Sequence, residues 1–142
     1  MDREIVEQEL ESLRRCVQRV ADKCPDDPAT LAREVDLQDI VTLNLSRAVQ
    51  MCVDVGAHMI ASTESPAPAT MGQTFELLGQ KGILPGPLAT RLQRAVGFRN
   101  IVMHNYEVID WQVVHALARN HLGDFAAFAH AIMEQLGKPG AT

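Results

Sequence analysis

Four residues suited to acid–base and phosphate chemistry lie within one eight-residue stretch, namely Arg99, Asn100, His104 and Tyr106. A histidine exchanges protons near neutral pH, and an arginine presents a fixed planar fork of N–H donors to phosphate oxygens. The two groups act on one phosphate only where their side chains converge. The first question is therefore how the chain positions Arg99 and His104.

Arg99 falls on an apolar face of its helix. Leu88, Leu92, Ala95, Arg99 and Val102 follow one another at intervals of four and three residues, which places them on one side of a helix. An arginine in such a face is paired, extends its head group to solvent, or faces a cleft or another subunit. A paired, purely structural arginine is the simpler alternative.

His104 would lie about 140° around an unbroken helix from Arg99. The two side chains converge only if the helix ends at His104 or if a second copy of the chain supplies the missing partner. Asn105 tolerates the left-handed conformation that ends helices, and Asp110 is suited to start the next one. We therefore expect the helix to end at His104, where its dipole favours the imidazolium ion.

These residues carry a family resemblance. The segment 99–106 reads R-N-x-x-x-H-x-Y, preceded by Gly97-Phe98 and followed by Val108-Ile109-Asp110. It resembles the HepT-like toxins of the HEPN (higher eukaryote and prokaryote nucleotide-binding) superfamily. Leu43-Asn44-Leu45, Arg47-Ala48 and Asp54 occur in an order similar to that family's second helix. The likeness covers about residues 35 to 135.

The resemblance implies a compact helical domain that forms a homodimer, with arginine and histidine of both copies lining a shared cleft. It also implies a type VII-like toxin, a metal-independent endoribonuclease that acts on RNA. The implied partner is a nucleotidyltransferase antitoxin of the MntA type. That antitoxin would adenylylate Tyr106 and so silence the toxin.

Metal-free RNA cleavage uses the ribose 2′-hydroxyl as its nucleophile. The reaction needs a base, an acid and positive charge for the phosphorane, so we expect His104 to be the acid–base group and Arg99 the phosphate clamp. Asn100, four residues before His104, would orient it or contact ribose. The alternatives are an exposed or capping His104, an ordinary exposed Asn100, and a Tyr106 packed under the loop with its hydroxyl bonded to backbone.

A second polar stripe runs along the second predicted helix, with Arg47, Asp54 and His58 beside its apolar face. Arg47 and Asp54 are candidate supporting residues, with Asp54 a partner for Arg99 or for the cleft histidine. A solvated face with an Asp54–His58 pair is equally compatible with the spacing. Asn44 lies within the apolar stripe, so it should be hydrogen-bonded to backbone or across the dimer.

The elements that must position these residues are all helical. Apolar periodicity predicts a first helix up to Pro25, a long one from Asp27-Pro28 to about Ser62 with a break near Asp36, and a short one opened by Thr70 and Gln73. A fourth helix covers about 87–104, and a final one follows Asp110. This pattern predicts an all-α bundle of about five helices. Together with the resemblance it implies one HEPN-type domain over residues 1–142, whose end, 137–142, we expect to be flexible.

Composition narrows the function further. The formal net charge is −5 and aromatic residues make up 4% of the 142 residues, which argues against broad RNA coating and base-stacking platforms. Residues 77–106, however, contain four basic and no acidic side chains.

The three cysteines and remaining histidines show no metal-ligand spacing, so no metal or cofactor is expected. Without a signal peptide or membrane span, a cytoplasmic location is expected.

Two other functions compete with the ribonuclease toxin. One is a non-catalytic HEPN module that binds a nucleotide or an interaction partner beside a nucleotidyltransferase. The other is a helical dimerisation module without a ligand. The complete arginine–histidine pair favours the ribonuclease toxin over the non-catalytic HEPN module. The charge of Arg99 within the apolar stripe argues against a dimerisation module without a ligand.

Overall fold

The computed structural model describes residues 2–138, which form seven α-helices and one short 3-10 helix without a strand. The helices are α1 (Arg3–Lys23), α2 (Pro28–Arg33), α3 (Val35–Ala61), α4 (Met71–Gln80), α5 (Gly86–His104), α6 (Trp111–Asn120) and α7 (Gly123–Leu136), with the 3-10 turn Tyr106–Val108 between α5 and α6. The all-α prediction is confirmed. The predicted count of about five helices is wrong, because two of the expected helices are each divided.

Side-chain caps define where several helices begin. The carboxylates of Asp27 and Asp110 accept the backbone N–H of Ala29 and Gln112, both at 2.9 Å. Thr70 caps α4 through its hydroxyl, which accepts the N–H of Gln73 at 3.1 Å. These caps satisfy N–H groups that lack partners inside the helix. The three predicted starts are therefore confirmed.

The first division separates α2 from α3. Glu34 has extended backbone angles, φ −96° and ψ 98°, so the chain turns there, two residues before the predicted break at Asp36. The side-chain amide of Gln38 donates to the carbonyl of Leu31 at 2.9 Å and ties the two helices together. The short α2 can then pack against α6 while α3 runs through the centre.

The second division separates α6 from α7 at His121 and Leu122. Apolar periodicity does not reveal this break, because the buried Ala118 and Phe125 are seven residues apart. That spacing keeps the apolar face in register across the break. The two helices also differ in packing: α6 packs mainly against α2, whereas α7 packs mainly against α1 and α5, and both contact α3.

Helix α3 is the centre of the bundle, and it packs against each of the other six helices. The rings of Phe75 and Phe128, both fully buried, meet edge to face with their centroids 6.2 Å apart. Gly56 of α3 allows α4 to approach closely, since a Cβ there would lie 2.6 Å from Thr74 Cγ2. This contact fixes the separation of α3 and α4.

Two further expectations concern the chain as a whole. In the described part of the chain no helix has both the length and the apolarity needed to cross a bilayer. The predicted flexible end, 137–142, falls mostly on residues 139–142, which lie outside the described residues. That expectation and the single-domain assignment over 1–142 stay predictions.

Candidate active site at the end of helix α5

The carboxyl-terminal end of α5 lies on the surface. Its first half buries Leu88, Ala89, Leu92 and Val96, but no side chain from residue 97 to residue 113 is buried. This unburied run contains the end of α5, the 3-10 turn and the first residues of α6. All four residues of the predicted motif therefore lie on an accessible surface.

Arg99 is partly exposed and makes no ion pair with any acidic side chain among residues 2–138. Its Nη1 donates to Asn100 Oδ1 over 3.4 Å, a long contact. Among the described residues, Arg99 is therefore not a structural arginine paired with an acidic side chain. The guanidinium retains donors for an anion.

His104 is the last residue of α5, as the sequence predicts, and its side chain is exposed. The expected cause is wrong, however: Asn105 has φ −151° rather than a left-handed conformation. The helix ends because the backbone extends at Asn105 and then enters the 3-10 turn, where Val108 N–H donates to Asn105 O at 3.1 Å. An imidazolium here lies at the negative end of the α5 dipole.

Asn100 and His104 share a helix face but do not contact each other. In the described residues the Asn100 amide is hydrogen-bonded to Arg99 alone, and no side-chain hydrogen bond is found for His104. The expected orientation of His104 by Asn100 is therefore absent from this arrangement. Asn100 is exposed, which leaves it free to contact a ligand.

The two supporting residues on α3 lie on a different side of the bundle. Asp54 Oδ1 accepts from Gln50 Nε2 at 2.9 Å, and Arg47 is close enough to Cys16 of α1 to lower the pKa of that thiol, against a larger upward effect of burial. Neither Arg47 nor Asp54 is bonded to the motif residues within the part of the chain described. The predicted contact of Asp54 with Arg99 or with the cleft histidine is not formed.

The third member of that stripe also faces α1. His58 Nδ1 lies 3.8 Å from Glu9 Oε1, so the alternative of an Asp54–His58 pair is wrong as well. Burial raises the pKa of Glu9, with the nearby His58 opposing and Asp54 reinforcing that change. Asn44 behaves as expected, donating to the backbone carbonyl of Ile40 at 2.8 Å.

Tyr106 connects the 3-10 turn to α3. Its hydroxyl donates to Asp39 Oδ1 at 3.0 Å, and its ring packs edge to face on Trp111 with centroids 5.9 Å apart. The side chain remains 40% exposed. Burial is the main cause that raises the pKa of the Tyr106 phenol, with Asp39 adding to it and Thr42 opposing it. The hydroxyl is therefore reachable, and its partner is a carboxylate rather than the backbone.

Asp39 and Trp111 were not identified from the sequence as neighbours of Tyr106. Asp39 is 67 positions away in the chain and is one of several exposed acidic residues near the start of α3. No local pattern distinguishes it from Asp36. Trp111 is the only tryptophan in the sequence, and its spacing predicts that it lies on the apolar face of its helix. Its position directly after the Asp110 cap is the one sequence feature that places it near Tyr106.

A largely apolar groove adjoins the site between α3, α5, α6 and α7. Its volume is about 350 Å³, and Leu45, Ala95, Phe98 and Leu117 contribute to its lining. Arg91 at its edge is paired with Asp124 at 2.9 Å, which neutralises one of the basic charges in the predicted basic segment.

The surface near the motif also exposes large apolar side chains. Ile101, Met103, Val108 and Val113 are each at least 44% exposed, and all lie within the unburied run. Exposed apolar residues concentrated in one segment are typical of a surface that another molecule covers. The described residues contain no group of three or more His, Cys, Asp or Glu side chains able to hold a metal ion.

Comparison with known proteins gives the family. A family model described as ribonuclease HepT-like matches residues 6–132. The chain belongs to the HepT-like ribonuclease family. The resemblance carried by the motif is thus confirmed over almost the whole length of the chain.

Relatives of this HepT-like chain include the mRNA nuclease HepT of Shewanella oneidensis. The two are 30% identical over 129 residues, which cover 91% of this chain and 96% of the relative. The solved structure of a tri-AMPylated Shewanella oneidensis HEPN toxin in complex with an MNT antitoxin matches with a TM-score of 0.87 and 29% identity, covering 94% of this chain and 99% of that one.

The same HepT-like fold also occurs in more distant chains. YutE, a cytosolic protein of unknown function from Bacillus subtilis, matches with a TM-score of 0.81 over 95% of this chain and 90% of that one. At 15% identity this likeness supports the fold alone. The HEPN-like part of the fold prediction is confirmed by these structures, while the homodimer stays a prediction.

Proposed function

We propose that this chain is the ribonuclease toxin of a type VII-like toxin–antitoxin pair, a metal-independent endoribonuclease whose Arg99 and His104 act together at a dimer cleft. The observation that carries the proposal is the placement of both residues on the unburied end of α5, free of ion pairs with the described residues. The mRNA nuclease activity named for the Shewanella oneidensis relative supports RNA as the substrate.

The end of α5 at His104 does not by itself bring Arg99 and His104 together, because His104 is still part of the helix. Arg99 and His104 are separated by about 7.5 Å along the helix axis and about 140° around it, so one chain does not direct both at one phosphate. A second copy related by a two-fold axis supplies the complementary pair. The exposed Ile101 and Met103 lie within the motif, between Arg99 and His104, and provide an apolar contact for such a dimer.

Cleavage then follows from the chemistry of the side chains. One His104 removes the proton of the ribose 2′-hydroxyl, whose oxygen attacks the adjacent phosphorus. The two Arg99 guanidinium groups stabilise the negative phosphorane. The other His104, protonated at the negative end of its helix, donates a proton to the departing 5′-oxygen. Asn100, exposed beside Arg99, is positioned to contact the ribose or phosphate. Arg47 and Asp54 on α3 make no hydrogen bond or ion pair with the motif within the described residues, so we propose only an indirect supporting role for them.

Regulation is proposed at Tyr106. An MntA-type nucleotidyltransferase would transfer AMP to its exposed hydroxyl, which adds bulk and negative charge two residues from His104 and excludes RNA. The support is the exposed fraction of Tyr106 and the AMPylated state of the toxin in the related complex with an MNT antitoxin. The proposed location of the pair is the cytoplasm.

The nuclease is tested with purified protein and RNA in the presence of EDTA. We expect Arg99→Ala and His104→Ala each to lower the cleavage rate by about 10²-fold or more, with dimerisation unchanged. Arg94→Ala and His130→Ala are matched controls, since both residues are exposed and lie outside the motif. Cleavage by His104→Ala at the wild-type rate would refute the assignment of His104.

Three further measurements test the proposal against its alternative. Wild-type protein that binds a nucleotide but does not cleave RNA would favour a non-catalytic HEPN module. Mass spectrometry after coexpression with the nucleotidyltransferase should find AMP on Tyr106 and none on Tyr106→Phe. Sedimentation should give a dimer, and a monomer that cleaves RNA would contradict the shared cleft.

A further inference from the structure

The Tyr106 hydroxyl is hydrogen-bonded to a carboxylate that no part of the ribonuclease mechanism uses. Asp39 Oδ1 accepts from Tyr106 over 3.0 Å. Within residues 2–138 the Asp39 carboxylate makes no ion pair and no second side-chain hydrogen bond. Tyr106 is therefore the one side-chain partner of the Asp39 carboxylate in the described part of the chain.

The phenol is held on two sides. Trp111 contacts the ring edge to face, with an angle of 68° between the planes, and Asp39 holds the hydroxyl end. Two contacts at opposite ends of a side chain fix its position better than either one alone. Tyr106 as a whole nevertheless remains 40% exposed, so a second molecule can approach the side chain that carries this oxygen.

We propose that Asp39 is the general base that activates Tyr106 for adenylylation, an inference that rests on the proposed regulation at Tyr106. In this step the phenolic oxygen attacks the α-phosphorus of ATP, and a new oxygen–phosphorus bond forms. The bond from that phosphorus to the bridging oxygen breaks, and pyrophosphate leaves with the electron pair. The phenolic proton passes to Asp39 and then to water.

A base is needed because a neutral phenol is a weak nucleophile. Burial and the adjacent carboxylate raise the pKa of Tyr106 above its usual value near 10, so the hydroxyl is protonated at neutral pH. A carboxylate within hydrogen-bond distance can accept the proton as the oxygen–phosphorus bond forms. Asp39 is the charged side chain in contact with this oxygen, and Thr42 is the other polar group beside it.

The product cannot retain the same contact. An esterified Tyr106 oxygen has no proton to donate, and the added phosphodiester is negative beside the negative Asp39. Loss of the hydrogen bond and like-charge repulsion both favour release of the tyrosine from α3. Asp39 therefore promotes the transfer and disfavours retention of the modified side chain in its original position, which helps to direct AMP outward.

The test compares three proteins in an adenylylation assay with the purified nucleotidyltransferase, ATP and Mg²⁺. Asp39→Asn keeps an oxygen acceptor of the same size but cannot take the proton. We expect it to lower kcat for AMP transfer to Tyr106 by about 10²-fold or more, with KM for ATP unchanged. Asp36→Asn is the matched control, because Asp36 is another exposed aspartate in the same part of α3.

Each outcome bears on a different claim. Asp39→Asn at the wild-type rate, with wild-type protein modified on Tyr106, overturns the role of Asp39 and leaves the proposed regulation intact. Absence of AMP on wild-type Tyr106 overturns the regulation itself. Asp39→Glu should recover part of the lost kcat, since it restores a base. Thermal unfolding of each variant separates loss of folding from loss of transfer, and an Asp39→Asn defect that raises only KM for ATP also overturns the proposal.

Discussion

Gly56 provides a test of how closely α3 and α4 approach each other. An alanine Cβ there would lie 2.6 Å from Thr74 Cγ2 and 3.0 Å from Leu78 Cδ1. Favourable contacts between carbon atoms have separations of about 3.5–4.0 Å, so α4 or its side chains must move by roughly 1 Å. Thr74 is 2% exposed and β-branched, which limits the freedom of its methyl group to turn away.

Two opposing effects set the magnitude for Gly56→Ala. Overpacking of a well-packed core costs about 1–3 kcal/mol. Replacing glycine by alanine within a helix stabilises it by about 1 kcal/mol. The expected net change is therefore a loss of roughly 1 kcal/mol in the free energy of unfolding, although alanine is the better helix former.

A double-mutant cycle isolates the contact. Thr74→Ser removes the methyl group that lies closest to the added Cβ, at a cost of about 1 kcal/mol for the lost buried carbon. In that background Gly56→Ala should be neutral or stabilising, because the helix-propensity gain remains and the main clash is gone. We expect a coupling energy of about 1–2 kcal/mol, within the range found for residues in contact.

The assay is urea unfolding followed by far-ultraviolet circular dichroism, at one protein concentration for all four proteins because an oligomer would make stability concentration-dependent. The dependence of the free energy of unfolding on urea concentration should be the same for all four proteins. If Gly56→Ala stabilises the wild-type and Thr74→Ser backgrounds equally, the close approach of α3 and α4 at Gly56 does not exist, and the reasoning is refuted.

Three further predictions concern the core and its titrating groups. Phe128→Ala should lower the free energy of unfolding by about 3–5 kcal/mol, since Phe128 is fully buried against Phe75, and a loss below 1 kcal/mol in urea unfolding would contradict that packing. Burial raises the pKa of Glu9 above 4.5 in the folded chain, so its negative charge opposes folding at neutral pH; Glu9→Gln should stabilise at about pH 7. The gain in the free energy of unfolding should shrink as the pH falls towards and below about 4.5. If denaturation curves give the same gain at about pH 7 and below about pH 4.5, the ionised Glu9 carboxylate is not its cause. Burial also raises the pKa of the fully buried Cys52 thiol, so a thiol reagent followed by mass spectrometry should label Cys52 only on unfolding, and rapid labelling of the native protein would show that the core is more open.

Local signals predicted three of the helix starts. Asp27-Pro28, Thr70 with Gln73, and Asp110 each act within four residues of the chain, so their effect does not depend on the rest of the fold. The end of α5 at His104 was predicted for a partly wrong reason, because Asn105 is extended rather than left-handed. A local preference can locate a boundary without giving its conformation.

Features that depend on packing partners were not predictable in the same way. Periodicity placed Asp54 on a polar face of α3, but it does not say which neighbour that face meets, and six helices contact α3. The break before Gly123 left the apolar register intact. The hydrogen bond between Tyr106 and Asp39 joins the 3-10 turn to α3, two elements that come together only in the folded bundle.

The unburied run from residue 97 to residue 113 has a consequence for how such a gene changes over generations. Apart from Phe98, Ile109 and Trp111, which pack against the core, its side chains add little to the core, so most single substitutions there should leave stability within about 0.5 kcal/mol. Under the proposed function, one mutation at Arg99 or His104 therefore yields a folded but harmless protein that still occupies its antitoxin. A population can disarm the toxin in a single step without accumulating misfolded chains, and reversal of that one codon restores it.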